Sequence, residues 1–334
     1  MRLRARIERA WTRRGLFAAA LLPAAMVFRG LSALRRAAYR RGLLRPEKLP
    51  VPVIVIGNVS VGGTGKTPLA IHLVEALRAA GLHPGVVSRG YGGAGQGGTV
   101  NGASDPVQYG DEPVLIAARC GVPVQVGADR VAAARQLLGA YPEVNVLLSD
   151  DGLQHYRLAR DIEIAVVDAQ RGFGNGWPLP AGPLREPVSR LRCVDALVAN
   201  GAGNLPFATA RRFEMRLMGS VAVNLADPAV RLDLRALTGR PVHAIAGIGN
   251  PQRFFDHLSS LGLTFTPHSF PDHHVYRPGD LRFDGDILMT EKDGVKCRPF
   301  DSDRLWVVPV TAEVPGLAEF VLDRLRSLRG SEAA

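Results

Sequence analysis

Short β-branched runs alternate with longer amphipathic stretches over most of the chain. The run VPVIVIGN predicts a buried strand, and leucines spaced four apart predict a helix from Thr67 to Ala80. Pro68 suits the first turn of that helix, and Gly81 suits its end. Further strands are predicted in PGVVSRGYGG and at 122–127, 144–152, 162–169 and 194–200, with a helix near 130–139. Because these strands are apolar throughout, the pattern predicts an α/β fold with a mostly parallel sheet and helices on both faces.

The pattern changes after about residue 210. FEMRLMGSVAVNL alternates around Gly219 and predicts a two-stranded ribbon. A strand, a glycine-bearing turn and a helix are then predicted in PVHAIAGIGNPQRFFDHLSSLGL, and two more strands in GDILMTEKDGVK and RLWVVPV. Four parts are therefore expected: an N-terminal segment (1–45), a core domain (46–210), a ribbon linker (211–232) and a smaller C-terminal α/β domain (233–330).

The segment before the first strand is both apolar and basic. GLFAAALLPAAMVF (15–28) would form about 21 Å of helix at ~1.5 Å per residue. A bilayer core needs ~30 Å, and Pro23 interrupts the run. Residues 1–50 hold thirteen Lys and Arg against two acids, a net charge of +11, whereas the whole chain carries +10. This combination favours a helix lying in an anionic membrane surface over nucleic-acid binding. A packed N-terminal helix is the main alternative; a signal peptide is disfavoured because no small-residue cleavage site follows.

The length of the chain and its cysteines disfavour a small disulfide-rich or zinc-binding protein. With 334 residues and 46% hydrophobic content, the chain is long enough for two domains. Cys120, Cys193 and Cys297 show no CxxC spacing. This argues against a disulfide framework and a zinc site, and it favours reduced thiols in the cytosol.

A glycine-rich loop joins the first predicted strand to the first helix. Its backbone amides, a lysine and a hydroxyl at the helix start are what a Mg²⁺-bound nucleotide phosphate requires. The loop departs from the usual pattern G-x-x-x-x-G-K-[ST] at one position, where Ser60 replaces the first glycine. It also differs from the related G-G-x-G-K-T loop of dimerising ATPases, because Val61 replaces the lysine that usually precedes the glycines. The predicted ATP-binding residues are Ser60, Val61, Gly62, Gly63, Thr64, Gly65, Lys66 and Thr67. A chance glycine turn is disfavoured because the loop stands between a strand and a helix.

Two acids follow the predicted strand at 144–152. A Mg²⁺–ATP site needs a carboxylate at the end of a nearby strand, and Asp150 and Asp151 stand there. Adjacent side chains of an extended chain point in opposite directions. One of the two is therefore expected to bind the metal with Thr67, and which one stays open. A polar strand end before the Gly152 turn is the alternative.

An acceptor hydroxyl that attacks the γ-phosphorus of ATP needs a proton acceptor nearby. Two segments offer one: YGDEP, with Asp111 and Glu112, and FPDHH, with Asp272, His273 and His274. The aspartate of YGDEP could instead cap the following helix. The two histidines could be solvated, and a metal site is disfavoured because no third ligand has suitable spacing.

Six segments together carry a resemblance to one family. They are GNVSVGGTGKTP, SRGYGG, GDEP, DDGLQHYRLARD, GNGWPLPAGPLRE and TEKDGVKC. The chain resembles the tetraacyldisaccharide 4′-kinases, the lipid A 4′-kinases of Gram-negative bacteria, up to about residue 310, and Ser60 in the phosphate loop agrees with that family. The resemblance implies a P-loop kinase that uses ATP and Mg²⁺ to phosphorylate the 4′-hydroxyl of a tetraacylated glucosamine disaccharide 1-phosphate, giving lipid IVA. It also implies association with the cytoplasmic face of the inner membrane, with no nucleic acid and no obligate protein partner.

The resemblance further implies roles for particular residues. Asp111 is then the base and His273 its partner, with Lys66 at the transferred phosphate, and closure of the two domains would assemble them. Candidates for substrate contacts are Glu112, His155, Arg89, Arg185, Arg130 and Arg157. For His155 a structural hydrogen bond is the alternative, and for the arginines it is a surface salt bridge. Lys292 of TEKD would approach the nucleotide or pair with Glu291, and Trp177, Leu179 and Pro180 would meet lipid or pack their own loop.

Two rival functions stay open on sequence alone. A soluble kinase for a small sugar or nucleotide would have the same phosphate loop, but it does not account for the basic, apolar N-terminus. A membrane-switching regulatory ATPase would account for the membrane surface, but not for Val61 or for a second domain that supplies Asp and His.

Overall fold

The computed structural model describes residues 7, 9–95, 97–203, 205, 211–300 and 302–332. Two sheets form two units, and the chain passes between them twice. The first unit contains the phosphate loop, and the second contains the FPDHH and TEKD segments.

The first sheet has nine strands and is mostly parallel, as the sequence predicts. Its strands are, in chain order, β1 (Val53–Gly57), β2 (Pro84–Ser88), β3 (Gly98–Val100), β4 (Val124–Val126), β5 (Val146–Ser149), β6 (Ile162–Asp168), β7 (Ala196–Asn200), β8 (Arg212–Met218) and, much later, β15 (Thr311–Glu313). Across the sheet their order is β15-β8-β7-β6-β1-β5-β2-β4-β3, and only the two edge strands β3 and β15 run antiparallel to their neighbours.

Helices cover both faces of this sheet. Alternate residues of β1 face opposite sides: Ile54 and Ile56 join one hydrophobic cluster, and Val53 and Val55 join another. The first side carries helices α3 (Lys66–Ala79), α5 (Asp111–Cys120) and α9 (Leu317–Glu332), with the short α4 (Pro106–Tyr109) beside them, and the second side carries α6 (Arg130–Ala140). Because both faces of the central strands are buried, β1 and β5 are almost entirely apolar, whereas β8 near the edge alternates exposed charged residues with buried or half-buried apolar ones.

The second sheet has six strands and a smaller core. Its strands are β9 (Val221–Asn224), β10 (Arg231–Asp233), β11 (Val242–Ala246), β12 (Thr266–Ser269), β13 (Asp286–Thr290) and β14 (Leu305–Val308), in the order β10-β9-β14-β13-β11-β12. Helix α7 (Pro251–Ser260) packs Phe254, Phe255 and Leu258 against one face. Helix α8 (Glu291–Cys297) follows β13 directly and buries Cys297 on the other face.

The expected ribbon and the expected boundary at 330 are both wrong in detail. Strands β8 and β9 do not pair with each other around Gly219; they lie in different sheets. Each strand pairs instead with a later segment that leads back to the first unit: β9 pairs with β14, and β8 pairs with β15. The connection between the units therefore consists of residues 212–224 alongside residues 305–313. The two passages touch at the crossing, where a Cβ on Gly219 would lie 2.3 Å from the carbonyl oxygen of Pro309.

The C-terminal helix belongs to the first unit. Leu317, Val321 and Leu325 of α9 are buried in the same cluster as Leu73 and Leu77 of α3. The second unit therefore ends near residue 310, and the chain returns to the first sheet. An amphipathic pattern predicts that a helix has a buried face, but it does not show which unit that face packs against.

Over residues 11–45, the N-terminal segment forms two helices, α1 (Leu16–Ala20) and α2 (Leu22–Arg40). Pro23 stands in the first turn of α2, where proline is tolerated, and so does not break the longer helix. Leu31 and Leu34 of α2 are 64% and 69% exposed. In the part of the chain that the structure describes, no helix combines the length and the apolar character needed to cross a bilayer.

Candidate active site

The phosphate loop lies between β1 and α3, with its glycines in conformations that other residues avoid. Gly62 and Gly65 have φ of 112° and 93°. A Cβ on Gly65 would lie 2.3 Å from Nδ2 of Asn200, so this position has room only for glycine. The amide of Val61 donates to the carbonyl of Pro183, which ties the start of the loop to the GNGWPLPAGP segment. Ser60 is buried beside that contact, in an isolated bridge with Leu184.

Two buried asparagines hold the loop from below. Asn58 donates to Oγ1 of Thr64 at 3.3 Å, and Asn200 donates to the carbonyl of Thr64 at 2.9 Å. They stand at the carboxyl ends of β1 and β7, the edge where ligands of parallel α/β sheets bind. Sequence reasoning missed both, although their place at the ends of apolar strands was a usable signal.

The two adjacent acids after β5 have different partners. Asp151 receives two hydrogen bonds from Nη1 of Arg185, at 2.9 and 2.8 Å, and lies 3.6 Å from Nζ of Lys66. Burial alone would raise the pKa of Asp151, but Lys66 and Arg185 outweigh it and lower the pKa to about 2. Its φ of 48° turns the chain sharply here, so the two carboxylates diverge.

Asp150 is the one whose carboxylate is left without a protein partner. It is 1% exposed, and among the described residues neither carboxylate oxygen has a hydrogen-bond partner. Burial and the charge of Glu112 raise the pKa of Asp150 to about 7, against the opposing charge of Lys66. Burying an ionised carboxylate whose oxygens have no hydrogen-bond partner costs free energy, unless a cation binds to those oxygens. The donor set of Asp150 and the Thr67 hydroxyl therefore fits a hard divalent ion such as Mg²⁺.

Asp111 and His273 meet across the two units. Nδ1 of His273 lies 3.0 and 3.1 Å from the two carboxylate oxygens of Asp111, which is 3% exposed. The helix cap is Gly110, not Asp111, so the capping alternative does not describe this structure. Burial alone would raise the pKa of Asp111, but the hydrogen bond from His273 and the charges of Lys292 and Lys296 lower it below the ordinary aspartate value.

The surroundings of His273 fix its ring. Its backbone is left-handed, with φ of 61°, and the ring of Tyr91 meets it edge-on at 5.1 Å between centroids. The neighbouring His274 turns away: its Nε2 lies 3.1 Å from Asp280, and its ring stacks on Phe270. In the described ranges no group of three His, Cys, Asp or Glu side chains is arranged to hold a metal ion.

A cleft of about 1400 Å³ lies between the two units. The phosphate loop and Asp151 line one side; His273 and Lys292 line the other. Gly63 and Gly249 approach so closely that a Cβ on Gly249 would lie 2.5 Å from the amide nitrogen of Gly63. The second unit therefore stands directly over the phosphate loop.

Two of the six substrate candidates from the sequence line this cleft. Glu112 and Arg185 line it, whereas Arg89 and His155 are not among the lining residues. Arg89 is exposed. Burial and the nearby charge of Arg130 lower the pKa of His155 to about 4, so its ring is neutral at pH 7.

The remaining candidates, Arg130, Arg157 and the loop with Trp177, make contacts within the first unit or with the N-terminal segment. Arg157 forms surface salt bridges, and Arg130 is buried and donates to the carbonyl of Gly127 at 2.9 Å. The loop with Trp177, Leu179 and Pro180 packs on the N-terminal segment. Nε1 of Trp11 donates to the carbonyl of Pro180 at 3.0 Å, and the Arg14 guanidinium lies over the Trp177 ring at 5.7 Å.

Two further links were not predicted from the sequence. Arg253 of α7 forms an ion pair with Asp168 at the end of β6, at 2.9 Å, which joins the units beside the cleft. Glu186, 4% exposed, accepts hydrogen bonds from Tyr156, from Gln154 at 3.1 Å and from Arg36 of α2 at 3.4 Å. It thereby connects the N-terminal helix to the segment that follows the two acids.

Comparisons with known proteins agree with this geometry. The sequence model of the LpxK family, described as tetraacyldisaccharide-1-P 4′-kinase, matches residues 17–326. A tetraacyldisaccharide 4′-kinase of Azoarcus sp. (strain BH72) is 54% identical over 95% of this chain and 94% of its own length. One of Janthinobacterium sp. (strain Marseille) is 52% identical over 96% and 95%. A crystal structure of LpxK from Aquifex aeolicus in complex with ATP has a TM-score of 0.79 and 28% identity, covering 93% of this chain and all of that one. This chain therefore belongs to the LpxK family of tetraacyldisaccharide 4′-kinases.

Proposed function

We propose that this chain transfers the γ-phosphoryl group of ATP to the 4′-hydroxyl of a tetraacylated glucosamine disaccharide 1-phosphate, giving lipid IVA in lipid A biosynthesis. The relatives named above carry this activity in their names, and one structural neighbour is an ATP complex. The observation that carries the proposal is the Asp111–His273 pair: His273 lines the cleft opposite the phosphate loop, and the buried Asp111 lies 3.0 Å behind its ring.

The donor half would be held by the first unit. The amides of the loop from Gly62 to Thr67 and the start of α3 would bind the β- and γ-phosphates, with Lys66 at the transferred group. Asp150 and Thr67 would hold Mg²⁺, which neutralises charge on the phosphate oxygens when it is bound. Asp151 would then orient Lys66 and Arg185, the two cations it contacts.

The acceptor half would be completed by the second unit. Asp111, oriented by His273, would take the proton of the 4′-hydroxyl as the bond from that oxygen to the γ-phosphorus forms. The bond from the γ-phosphorus to the bridging oxygen breaks at the same time, and ADP leaves with that electron pair. Because the pKa of Asp111 is lowered, its carboxylate is ionised at neutral pH and available as a base. Glu112 and Arg185 are the remaining candidates for substrate contacts, since both line the cleft.

The N-terminal helices would bring the enzyme to its lipid substrate. Leu16, Met26, Val27, Leu31 and Leu34 are all more than half exposed, on a segment whose net charge is +11. Apolar side chains would enter the lipid interface, and arginines would reach anionic headgroups. We propose peripheral association with the cytoplasmic face of the inner membrane, where ATP is available.

A lipid-kinase assay tests the reaction. Protein, γ-labelled ATP and the tetraacylated disaccharide 1-phosphate are incubated, and lipid is separated from free phosphate. Label in the lipid, lost with Asp111→Asn, is expected. Label in free phosphate alone would favour a regulatory ATPase. Label in a small soluble sugar and none in the lipid would favour a soluble kinase.

Vesicle binding tests the membrane proposal separately. Leu31→Glu combined with Leu34→Glu should weaken binding to vesicles containing phosphatidylglycerol at least about tenfold, since each buried leucine contributes ~1.5–3 kcal/mol. Ala226→Glu with Ala229→Glu, at exposed positions of the second unit, is the control of equal charge. Equal binding by all three proteins would contradict a role for α2 at the membrane.

A further inference from the structure

The TEKD segment is the motif that phosphate-loop chemistry leaves without a role. It spans the end of β13 and the start of α8. Thr290 caps the helix by accepting from the amide of Asp293, and its hydroxyl donates to Oδ2 of Asp293 at 2.6 Å. Asp293 is fully buried and also accepts from the amide of Gly247 and from the Tyr276 hydroxyl. These contacts fix the start of α8, and they therefore fix the direction in which Lys292, between Glu291 and Asp293, leaves the helix.

The two middle residues of the motif reach into the first unit. Glu291 pairs with Arg119 of α5 and accepts from the amide of Val310 at 3.1 Å. Lys292 extends into the cleft, with its side chain 14% exposed. Its Nζ lies 3.1 Å from Glu112, 3.3 Å from Asp272 and 3.8 Å from Asp111.

Lys292 thus stands among three carboxylates, two from the first unit and one from the second. Without its charge these acids would face one another at short range in a half-buried place, where like charges repel strongly. Burial alone would lower the pKa of Lys292, but the three acids raise it above the ordinary lysine value, so the ammonium is charged. Lys296 is the next cation, 3.9 Å from Asp111, but it is 2.8 Å from Asp293, which takes up its charge.

We propose that Lys292 is a positioning residue for phosphoryl transfer. Its ammonium neutralises Glu112 and Asp272 around Asp111, keeps Asp111 an ionised proton acceptor directed at His273, and binds the second unit over the phosphate loop. This inference rests on the proposed function, because Lys292 would act through Asp111, the base of the proposed kinase reaction.

The charge arrangement gives the proposal a pH signature. Asp111 is faced by His273 from the second unit and by Lys292 and Lys296 from α8. The carboxylates of Glu112 and Asp272 contact Lys292, and Asp272 also lies 3.6 Å from Nε2 of His273. Removing the Lys292 charge raises the pKa of Asp111. The base is then protonated sooner as pH falls, so the acidic limb of the kcat profile moves to higher pH, and activity recovers as pH rises.

The test measures lipid phosphorylation from pH 3 to 9 at saturating Mg²⁺–ATP, because the pKa of Asp111 is lowered below the ordinary aspartate value and the wild-type limb lies near the acidic end of this range. Nucleotide affinity is measured at each pH. For Lys292→Met we expect the acidic limb to shift upward by about 1 pH unit, with ATP affinity kept. Lys292→Arg keeps the charge and should leave the limb near that of the wild type. Lys292→Gln also removes the charge and should move the limb in the same direction, which keeps the test usable if Lys292→Met does not fold.

Arg119→Gln is the matched control, because it breaks the adjacent Glu291 bridge between the units without facing Asp111. It should lower kcat without moving the limb. A Lys292→Met profile that matches the wild type, or falls uniformly at every pH, would overturn the inference while wild-type lipid phosphorylation still stands. If the wild type labels no lipid at all, the proposed function fails instead.

Discussion

The donor and acceptor sides of the cleft are built in different ways. The phosphate loop, Asp150 and Asp151 all follow neighbouring strands, β1 and β5, of one sheet. The acceptor side combines Asp111 of α5 with His273, which is 162 positions away and in the other unit, and with Lys292 of α8. One side needs only the fold of the first unit; the other exists only when both units are in place.

The difference shows where closure acts. Two ion pairs between the units lie on the acceptor side, Lys292 to Glu112 and Glu291 to Arg119. On the donor side the second unit only lies against groups that the first unit already holds, with Gly249 over Gly63 and Arg253 beside Asp168. The donor side is held from within the first unit by Asn58, Asn200 and Arg185. Damage to the donor side should therefore remove nucleotide binding, whereas damage to the acceptor side should spare it.

The largest effect is expected at Lys66. Lys66→Ala removes the cation that the loop places on the transferred phosphate and leaves Asp151 with Arg185 alone. We expect kcat/KM to fall about 10³-fold, the upper end of the loss seen when one preorganised charge is removed from a transition state. ATP affinity, measured by calorimetry, should fall with it. Unchanged ATP affinity would contradict the assignment of this loop as the donor site.

Asp111→Asn should have the next largest effect, with a different signature. The amide cannot take the hydroxyl proton, so kcat is expected to fall about 10²-fold, the lower end of the range for loss of a general base. ATP affinity should stay within about twofold because Asp111 lies outside the phosphate loop. His273→Asn should cost less, since the carboxylate remains.

His274→Asn is the control for His273→Asn. Its imidazole pairs with Asp280 and does not contact Asp111, so its kcat should match the wild type. A comparable loss in both histidine variants would show that the loop as a whole, and not the Asp111–His273 pair, supports turnover.

The same contrast explains what the sequence could predict. Gly62 to Thr67 are contiguous, and their chemistry depends on a local strand–loop–helix geometry that the pattern contains. The apolar strands likewise predicted the parallel sheet, which the structure confirms. Local patterns also placed Asp150 and Asp151 at a strand end, but not their partners, because those depend on the left-handed turn at Asp151.

Contacts between segments that are far apart in the chain could not be predicted from the sequence. The ribbon pairs 212–224 with 305–313, and no local pattern sets the register of strands some 90 positions apart. Lys292 was expected near nucleotide or Glu291, but its partners come from α5 and the loop before His273. Such side chains have a role only after the units meet, so sequence spacing gives no signal for them.

An intermediate effect is expected at the Arg253–Asp168 ion pair. Arg253→Ala removes a charge-assisted bond across the units, worth ~1.5–3 kcal/mol when well formed, and less here because Arg253 is partly exposed. If the pair forms only in the closed, reactive arrangement, kcat/KM for the lipid should fall about tenfold. Asp168 keeps its hydrogen bonds from the amides of Gln170 and Arg171, so folding should survive. Arg235→Ala, an exposed arginine of the second unit, is the control; equal activity in both variants would mean that this pair does not contribute to closure.

The smallest effect is expected at Arg36, which tests whether the donor side depends on the N-terminal helix. Arg36 is 21% exposed in its side chain, and its bond to Glu186 is 3.4 Å long, so Arg36→Ala should cost at most about 1 kcal/mol of unfolding free energy. Glu186 keeps Tyr156 and Gln154, and the phosphate loop should bind ATP as before. Glu186→Ala is the contrast: it removes a buried carboxylate from several donors and should cost about 3 kcal/mol, measured by urea unfolding. A loss of ATP affinity in Arg36→Ala would show instead that α2 supports the phosphate loop, and that the donor side is not complete within the first sheet.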